Sequence, residues 1–399
     1  MTTMIPKPHQ IEMAEQAVQL LNKHNIAYLA SEERTGKTLA AILVAEQLGF
    51  ENIVVLTKLK AIDGWNTHLE NFPHNKNYLV TNYHKACKLA NVANTLIILD
   101  EAHAYLSAYP KHGTIWKEVK KVCRGNKVLY LSATPYAQGT QLLYGQFAVS
   151  SYSPWKNYPN FYSWFKTFGK PYTIEVQGRE VNMYDRVKDN DVLFCVSNLF
   201  ITKTRKELGF EHEPSDKVHY IDLDQVTKEV YNELLEHRIV ELKAGTLVCD
   251  TTSKLRFALH MLEGGVAKIN DNYIILANEE KINWIKQNFG DCSDTVIMYY
   301  FIAEKDKLEK AFPKARVLQS TSYAEGVDLS MYRHLIVYSM DYSTSKFTQR
   351  RARQANMDRK DPIDVHFLVV KKAISHEVYK TVAVNKKNYV DSLFSGAKL

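Results

Sequence analysis

Lys37 and Asp100 are the two residues whose types and surroundings most directly suggest chemistry. Lys37 lies in the segment 31–38, which follows the apolar run 26–30 and precedes an apolar, helix-like stretch. A strand, a loop and a helix in this order surround bound phosphates with backbone N–H groups and the positive end of a helix dipole. In such a loop Lys37 would reach the outer phosphates, and the hydroxyl of Thr38 would bind Mg²⁺.

The phosphate loop also contains Thr35 and Gly36, which we expect to contact the nucleotide. The usual pattern of such loops, G-x-x-x-x-G-K-[ST], begins with glycine, whereas this chain has Ser31 at that position. We expect a small residue there to be tolerated.

Asp100 and Glu101 form the second chemical signal, because two adjacent acids follow the apolar run 96–99. Such a run predicts a buried parallel strand whose carboxyl end presents a carboxylate at the ligand-binding edge of the sheet. Asp100 would hold Mg²⁺ directly or through water, and Glu101 would orient and deprotonate an attacking water. The alternative is an acidic helix start after a strand.

The order of these segments resembles helicase superfamily 2, the DNA and RNA motor proteins of the DEAD/DEAH type. Residues 100–103 match the Asp-Glu-Ala-His signature, and residues 132–135 resemble the motif that couples hydrolysis to domain movement. The resemblance implies coupling roles for His103, Ser132 and Thr134. Near the start, the segment from Lys7 to Gln10 resembles the adenine-reading segment, with Gln10 as the base-contacting glutamine.

The resemblance continues in the second half of the chain. Residues 295–301, followed by Glu304 and Leu308, resemble the motif that opens the second motor domain. Residues 321–329 resemble a segment that touches nucleic acid and nucleotide, which implies phosphate contacts for Thr321 and Ser322 and nucleotide contacts for Gly326 and Asp328.

Residues 349–356 resemble the Q-R-x-G-R-x-G-R arginine-finger motif. Gln349, Arg350 and Arg353 match it, and Arg353 is the predicted finger, which would neutralise charge on the transferring phosphoryl group. Alanine replaces both glycines, and Asn356 stands at the final arginine position, so a second finger is left open. The alternative is a solvated basic helix face.

Several segments resemble Snf2-type double-stranded DNA translocases and related phage-encoded helicases. Residues 54–58 followed by Trp65 resemble a first DNA-contact motif, and residues 80–83 resemble a second. The resemblance implies that Thr57, Lys58 and Asn82 hold phosphates without reading base sequence. The alternative for each is a polar residue that caps a strand end.

Alternating strands and helices predict an α/β fold with two RecA-like P-loop motor domains, each a parallel sheet covered by helices. The predicted boundaries are an N-terminal domain at 1–145, an aromatic-rich insertion at 146–210 and a C-terminal domain at 211–399. Predicted strands end near Ala30, Leu56, Val80, Leu99 and Ser132, and others span 273–277, 295–301, 316–318, 335–338 and 365–370. The aromatic residues between the domains are interpreted as a satellite core, with no nucleic-acid role.

Composition sets broad limits on the function. The 399 residues carry a net charge of +7, a mild excess compatible with a polyanionic partner. Five cysteines without a Cys-x-x-Cys pair predict reduced thiols. No run of about eighteen apolar residues and no signal-peptide pattern occurs, so we expect a cytoplasmic protein, from a bacterium or a phage-infected cell.

Together these features predict an ATP-dependent, Mg²⁺-dependent DNA helicase or translocase that moves along or remodels duplex or branched DNA. A strand-separating helicase on single-stranded DNA or RNA is an alternative within the same chemistry. A non-motor scaffold with a degenerate nucleotide site is an alternative of another class. We expect a monomer with no membrane partner.

Overall fold

The computed structural model describes residues 4–89, 92–136, 139–176, 178–212, 214–323, 329–343, 354–355 and 359–384. The chain divides into two compact units, Met1–Gly209 and Phe210–Leu399.

The first unit is built on a six-stranded parallel sheet with the strand order β3-β2-β4-β5-β1-β8. Strands β6 and β7 form a separate antiparallel hairpin. The strands are β1 (Ile26–Leu29), β2 (Asn52–Thr57), β3 (Asn77–Asn82), β4 (Thr95–Asp100), β5 (Lys127–Leu131), β6 (Tyr172–Val176), β7 (Arg179–Met183) and β8 (Phe200–Ile201).

Helices cover both faces of this sheet, and its strands are therefore apolar on both sides. In β1, Ile26 and Tyr28 join one buried cluster, while Ala27 and Leu29 join the cluster on the other face. The helices are α1 (Pro8–His24), α2 (Lys37–Gln47), α3 (Ile62–Asn71), α4 (His103–Leu106), α5 (Thr114–Cys123), α6 (Leu142–Phe147), α7 (Phe161–Phe168) and α8 (Asp189–Val196), with 3₁₀ turns at Leu59–Ala61, Tyr83–Leu89 and Ser197–Leu199.

The aromatic stretch packs into the first unit. Helix α7 begins after Asn160, whose side chain accepts a hydrogen bond from the Ser163 backbone N–H at 3.0 Å. Trp164 is fully buried and stacks on Phe168 with ring centroids 5.2 Å apart. These rings belong to the same buried cluster as Tyr28 of the sheet, so they extend the main core instead of forming a separate satellite.

The second unit contains a five-stranded parallel sheet with the strand order β15-β14-β16-β17-β9. Two antiparallel hairpins, β10-β11 and β12-β13, lie outside it. The strands are β9 (Pro214–Ile221), β10 (Ile239–Leu242), β11 (Gly245–Val248), β12 (Val266–Ile269), β13 (Asn272–Ile275), β14 (Thr295–Tyr299), β15 (Arg316–Gln319), β16 (His334–Val337) and β17 (Ile363–Val370).

The helices of the second unit pack against this sheet and the hairpins. They are α9 (Gln225–His237), α10 (Thr252–Glu263), α11 (Glu280–Phe289), α12 (Glu304–Ala311), α13 (Ser320–Tyr323) and α14 (Ile374–Tyr379), with a π-helical turn at Lys380–Val384. Across the described residues of both units, no helix combines the length and apolar character needed to cross a bilayer.

One predicted strand was placed in the wrong sheet. The segment 273–277 was expected to continue the alternating pattern, but β13 pairs antiparallel with β12 in a hairpin. Asn270 and Asp271 form its two-residue connection with φ values of 47° and 65°, the backbone of a type I′ turn. The fifth strand of the parallel sheet is β9 instead. The predicted class, two RecA-like α/β domains with helix-covered parallel sheets, is confirmed.

Candidate nucleotide site

The carboxyl ends of the parallel strands place the predicted residues of the first unit along one edge of the sheet. Strand β1 pairs with β5 so that Leu29 lies beside Leu131, and β4 pairs with β5 so that Asp100 also lies beside Leu131. The segments that follow β1, β4 and β5 are the phosphate loop, the acidic pair and the segment that begins at Ser132. In parallel sheets this edge is where ligands bind.

The phosphate loop turns from β1 into α2 through Gly36. Its φ of +81° is a conformation that L side chains rarely adopt. A Cβ atom at this position would lie 1.9 Å from Nε2 of Gln10. The backbone conformation therefore favours glycine here, and any larger residue would also displace the Gln10 side chain. Thr38 follows in the first turn of α2 and is half-buried.

The ammonium group of Lys37 lies inside the loop. Its Nζ donates hydrogen bonds to the backbone carbonyls of Ser31 and Glu32, both at 2.8 Å. Burial lowers the pKa of Lys37, whereas the carboxylates of Glu33, Glu101 and Asp100 act in the opposite direction. The lysine and the acidic pair thus share one electrostatic environment, as a triphosphate and its metal would require.

Ser31, the departure from the usual loop pattern, is fully buried. Its hydroxyl lies 3.3 Å from the Met13 sulfur and 3.3 Å from the Ile201 carbonyl oxygen, and its single proton is donated to one acceptor at a time. The Thr35 hydroxyl donates to the Glu32 carbonyl at 2.8 Å. Serine at the first position therefore brings the loop into contact with α1 and β8.

The start of α1 lies against the phosphate loop. Lys7 caps the helix, and its backbone N–H donates to Oε1 of Gln10 at 2.8 Å. The ring Nε2 of His9 lies 3.1 Å from the Thr35 carbonyl oxygen. The structure thus brings Gln10 beside Gly36, and His9 is a loop contact that sequence reasoning did not assign.

The carboxylate of Asp100 is held by two donors. Its Oδ2 accepts from the Thr57 hydroxyl at 2.7 Å and from the Trp65 indole N–H at 2.9 Å. The pKa of Asp100 is raised to about 6, because burial and then the neighbouring Glu101 outweigh the Trp65 and Thr57 hydrogen bonds, which lower it. Asp100 and Thr38 supply oxygen donors, the ligand type that Mg²⁺ prefers.

Glu101 is connected to the segment after β5 through His103. Glu101 has a φ of +51°, and its Oε2 lies 3.4 Å from Nδ1 of His103. The same Nδ1 lies 2.8 Å from the Ser132 hydroxyl oxygen, which accepts from the Thr134 backbone N–H at 3.0 Å. The three residues with predicted coupling roles therefore form one chain of contacts that begins at Glu101.

The predicted phosphate-contact residues of the first unit lie at the same sheet edge, because Thr57 is the register partner of Asn82. The Thr57 hydroxyl is fully buried and donates to Asp100. Oδ1 of Asn82 is buried and has no hydrogen-bond partner among the described residues. Lys58, directly after β2, is half-buried. The nucleic-acid contacts of all three stay predictions.

In the second unit, Thr321 lies in α13, directly after β15, and is half-buried. Ser322 belongs to the same helix, but its side chain is outside the described part of the structure. The remaining predicted site residues also fall outside the described residues: Gly326, Asp328, Gln349, Arg350 and Arg353.

Arg205 is a site residue that sequence reasoning missed. Its backbone N–H donates to Oε2 of Glu32 at 2.7 Å, and its guanidinium lies 3.3 Å from Oε2 of Glu33. The arginine therefore pairs with the two carboxylates of the phosphate loop. The signal was the Glu32-Glu33 pair in a loop predicted to bind phosphates, because such charges need a cation nearby.

Comparisons with known proteins give different results for sequences and for solved structures. No family model matches this sequence, and no curated protein does. Among solved structures, the chain is similar to the SWI2/SNF2 ATPase core domain of Sulfolobus solfataricus, with 14% sequence identity and a TM-score of 0.43. The similarity covers 99% of this chain and 90% of that chain. Similarity at this level does not assign a function.

Proposed function

We propose that this chain is a nucleic-acid-stimulated ATPase that uses ATP to move along or remodel duplex or branched DNA. The observation that carries the proposal is the grouping at the edge of the first sheet. Lys37 lies within the electrostatic reach of Asp100 and Glu101, and Glu101 is joined through His103 to Ser132. An ATPase needs a lysine close to the acidic pair. A motor also needs contacts that transmit changes at the nucleotide site to other parts of the protein.

The chemistry follows from the individual side chains. Lys37 would leave the two loop carbonyls that it now contacts and bind the outer phosphates. Thr38 and Asp100 would hold Mg²⁺, which when bound neutralises charge on the β- and γ-phosphates. Glu101 would orient the attacking water and accept its proton. His103, which contacts both residues, would couple a movement of Glu101 to Ser132.

The proposal extends to the second unit and to DNA. Arg353 would supply positive charge to the transferring phosphoryl group, with Gln349 and Arg350 in the same motif. Thr321 and Ser322 would contact the DNA backbone, as would Lys58 and Asn82. In Asn82 the NH₂ group would donate to a phosphate oxygen.

The finer parts of the prediction belong to the same proposal. They are the domain boundaries at 145/146 and 210/211, a relation to phage-encoded helicases, a cytoplasmic location and a monomeric state.

Steady-state ATP hydrolysis tests the proposal. Rates are measured without nucleic acid and with single-stranded DNA, duplex DNA, a four-way junction or RNA. Lys37→Ala and Glu101→Gln should each lower turnover by at least about a hundredfold, the scale for losing a phosphate donor or a general base. Glu118→Gln is the control, because Glu118 pairs with Lys121 at the surface.

The outcomes separate the candidate functions. Stimulation by duplex or junction DNA supports a translocase, and displacement of a triplex-forming strand would then report movement. Preference for single strands or RNA, with unwinding of a labelled fork, favours a strand-separating helicase. Wild-type rates in both active-site variants would refute the ATPase, and a folded protein without turnover would favour the scaffold.

A further inference from the structure

Gln146 is a fully buried glutamine in α6 whose side chain has no role in the chemistry described above. Its Oε1 accepts a hydrogen bond from the Tyr28 hydroxyl at 2.8 Å. Its Nε2 donates to the Pro135 carbonyl at 2.7 Å and to the Ser107 hydroxyl at 3.0 Å. A contact with the Leu142 carbonyl at 3.2 Å, one helical turn earlier, completes its bonding.

The three partners outside α6 belong to the three segments that form the nucleotide site. Tyr28 is in β1, three residues before Ser31 opens the phosphate loop. Ser107 directly follows α4, the helix that begins at His103. Pro135 directly follows Thr134. One amide group therefore bonds to each of the chain segments that carry the lysine, the acidic pair and the coupling serine.

Tyr28 also lies close to the catalytic groups. Burial raises the pKa of its hydroxyl, the Glu101 and Asp100 carboxylates raise it further, and a hydrogen bond with Ser132 acts in the opposite direction. The hydroxyl that donates to Gln146 therefore lies in the same electrostatic environment as Glu101 and Asp100. The amide in turn is bonded to the backbone at Pro135.

Packing alone does not require an amide at this position. The neighbouring side chains Leu143, Tyr144 and Phe147 belong to an apolar and aromatic core, so the amide and its partners are polar groups that must bond to one another within that core. A glutamine fixes the distances between its partners, because both ends of the amide are used and hydrogen bonds are directional.

We propose that Gln146 is a positioning residue for the ATPase, which holds the phosphate-loop strand, the segment after His103 and the segment after Thr134 in a fixed relation. This inference rests on the proposed function. Without the amide, nucleotide still binds, but the state of Glu101 is transmitted poorly to the segment after Ser132. The turnover that nucleic acid stimulates is then lost while affinity for ATP is kept.

The test uses the full chain and compares Gln146→Leu with Gln141→Leu. Gln141 is also buried and lies just before α6, but its amide donates to the Tyr109 hydroxyl and not to a motif segment. Gln146→Leu should lower nucleic-acid-stimulated kcat by about tenfold or more, the scale for a misplaced catalytic group. The KM for ATP and the Kd of a fluorescent ATP analogue should stay within about twofold of wild type.

A milder pair of variants keeps the test decisive if Gln146→Leu does not fold. Tyr28 and Tyr130 are both fully buried and stack on each other with centroids 5.2 Å apart. The Tyr130 hydroxyl donates to the Gln146 backbone carbonyl at 3.0 Å, not to its amide. Tyr28→Phe should therefore reduce stimulated kcat more than Tyr130→Phe does, at similar losses of thermal stability.

The results distinguish this inference from the proposed function. If wild type shows no stimulated turnover, the proposed function and the role of Gln146 both fail. If wild type is stimulated but Gln146→Leu matches Gln141→Leu, or Tyr28→Phe matches Tyr130→Phe, only the positioning role is overturned. An equal loss of kcat and ATP affinity would also overturn it, because that pattern indicates a general structural defect.

Discussion

Replacing Thr57 with valine should move the acid limb of the ATPase pH profile upward. Thr57 donates one of the two side-chain hydrogen bonds to Oδ2 of Asp100, at 2.7 Å. A hydrogen bond to a charged group contributes about 1.5–3 kcal/mol, and about 1.4 kcal/mol corresponds to one pKa unit. The pKa of Asp100, about 6 in wild type, should therefore rise to about 7–8.

The direction of the effect on activity follows because Mg²⁺ binds the ionised carboxylate of Asp100 and not the protonated acid. At pH 7 the Asp100 carboxylate is about nine-tenths ionised in wild type and about half ionised or less in Thr57→Val. We therefore expect kcat/KM for ATP to fall on the acid side at a higher pH in the variant. Because Glu101 interacts with Asp100, the acid limb reports an apparent pKa of the two acids together and not the pKa of one residue.

The assay is kcat/KM for ATP from pH 5.5 to 9 without nucleic acid, so that a lost DNA contact of Thr57 cannot alter it. Trp65→Phe removes the other donor and should shift the limb in the same direction. Thr95→Val is the control, because Thr95 is a buried threonine of β4, the strand that ends at Asp100, and its hydroxyl donates to the Ala93 carbonyl instead. An acid limb that stays near pH 6 in both Thr57→Val and Trp65→Phe would refute the assignment of Asp100.

Three further predictions concern the loop and the cores. Gly36→Ala should weaken binding of a fluorescent ATP analogue by about tenfold or more, because the new methyl group meets Gln10 at a positive φ; unchanged affinity would contradict the loop geometry. Trp164→Ala should lower the free energy of unfolding by about 3–5 kcal/mol in urea titration, whereas a loss below about 1 kcal/mol would contradict its place in the core. Burial, then His219 and His334, lower the pKa of His366 to about 4, so the unfolded chain binds a proton that the folded chain does not between pH 6.5 and 4. As the pH falls from 6.5 to 4, the free energy of unfolding of the second unit should therefore decrease by about 1–2 kcal/mol, after discounting for partial exposure. A His366→Phe variant with the same pH dependence as wild type would exclude this cause.

The parallel sheets could be predicted because their strands are buried on both faces. Residues 96–99 and 128–131 are continuous apolar runs, and each is followed by a polar segment at the carboxyl end. Such runs are typical of strands covered by helices on two sides. The two acids and Ser132 each follow such a run directly, and the loop that carries Lys37 follows the run 26–30, so their position at one edge needed only local sequence.

Strand β9 was missed for the opposite reason. Among the described strands it pairs with β17 alone, and several of its residues are exposed or half-buried, including Lys217 and His219. Its sequence is therefore mixed in polarity and resembles a loop. The β12-β13 hairpin shows the converse case, because the segment 273–277 was predicted to belong to the parallel sheet, whereas the turn at Asn270 and Asp271 pairs β13 with β12.

The groups that tune the site could not be predicted from local sequence, because each comes from a distant part of the chain. Trp65 bonds to Asp100 across 35 residues, and Tyr28 bonds to Gln146 across 118. A motif identifies which carboxylate can hold a metal or accept a proton, but the pKa of that carboxylate depends on burial and on donors supplied by other elements. In Asp100 these two effects oppose each other: burial favours the protonated acid, while Thr57 and Trp65 favour the carboxylate. Whether this chain hydrolyses ATP near neutral pH is therefore decided as much by a threonine and a tryptophan outside the acidic motif as by the acids themselves.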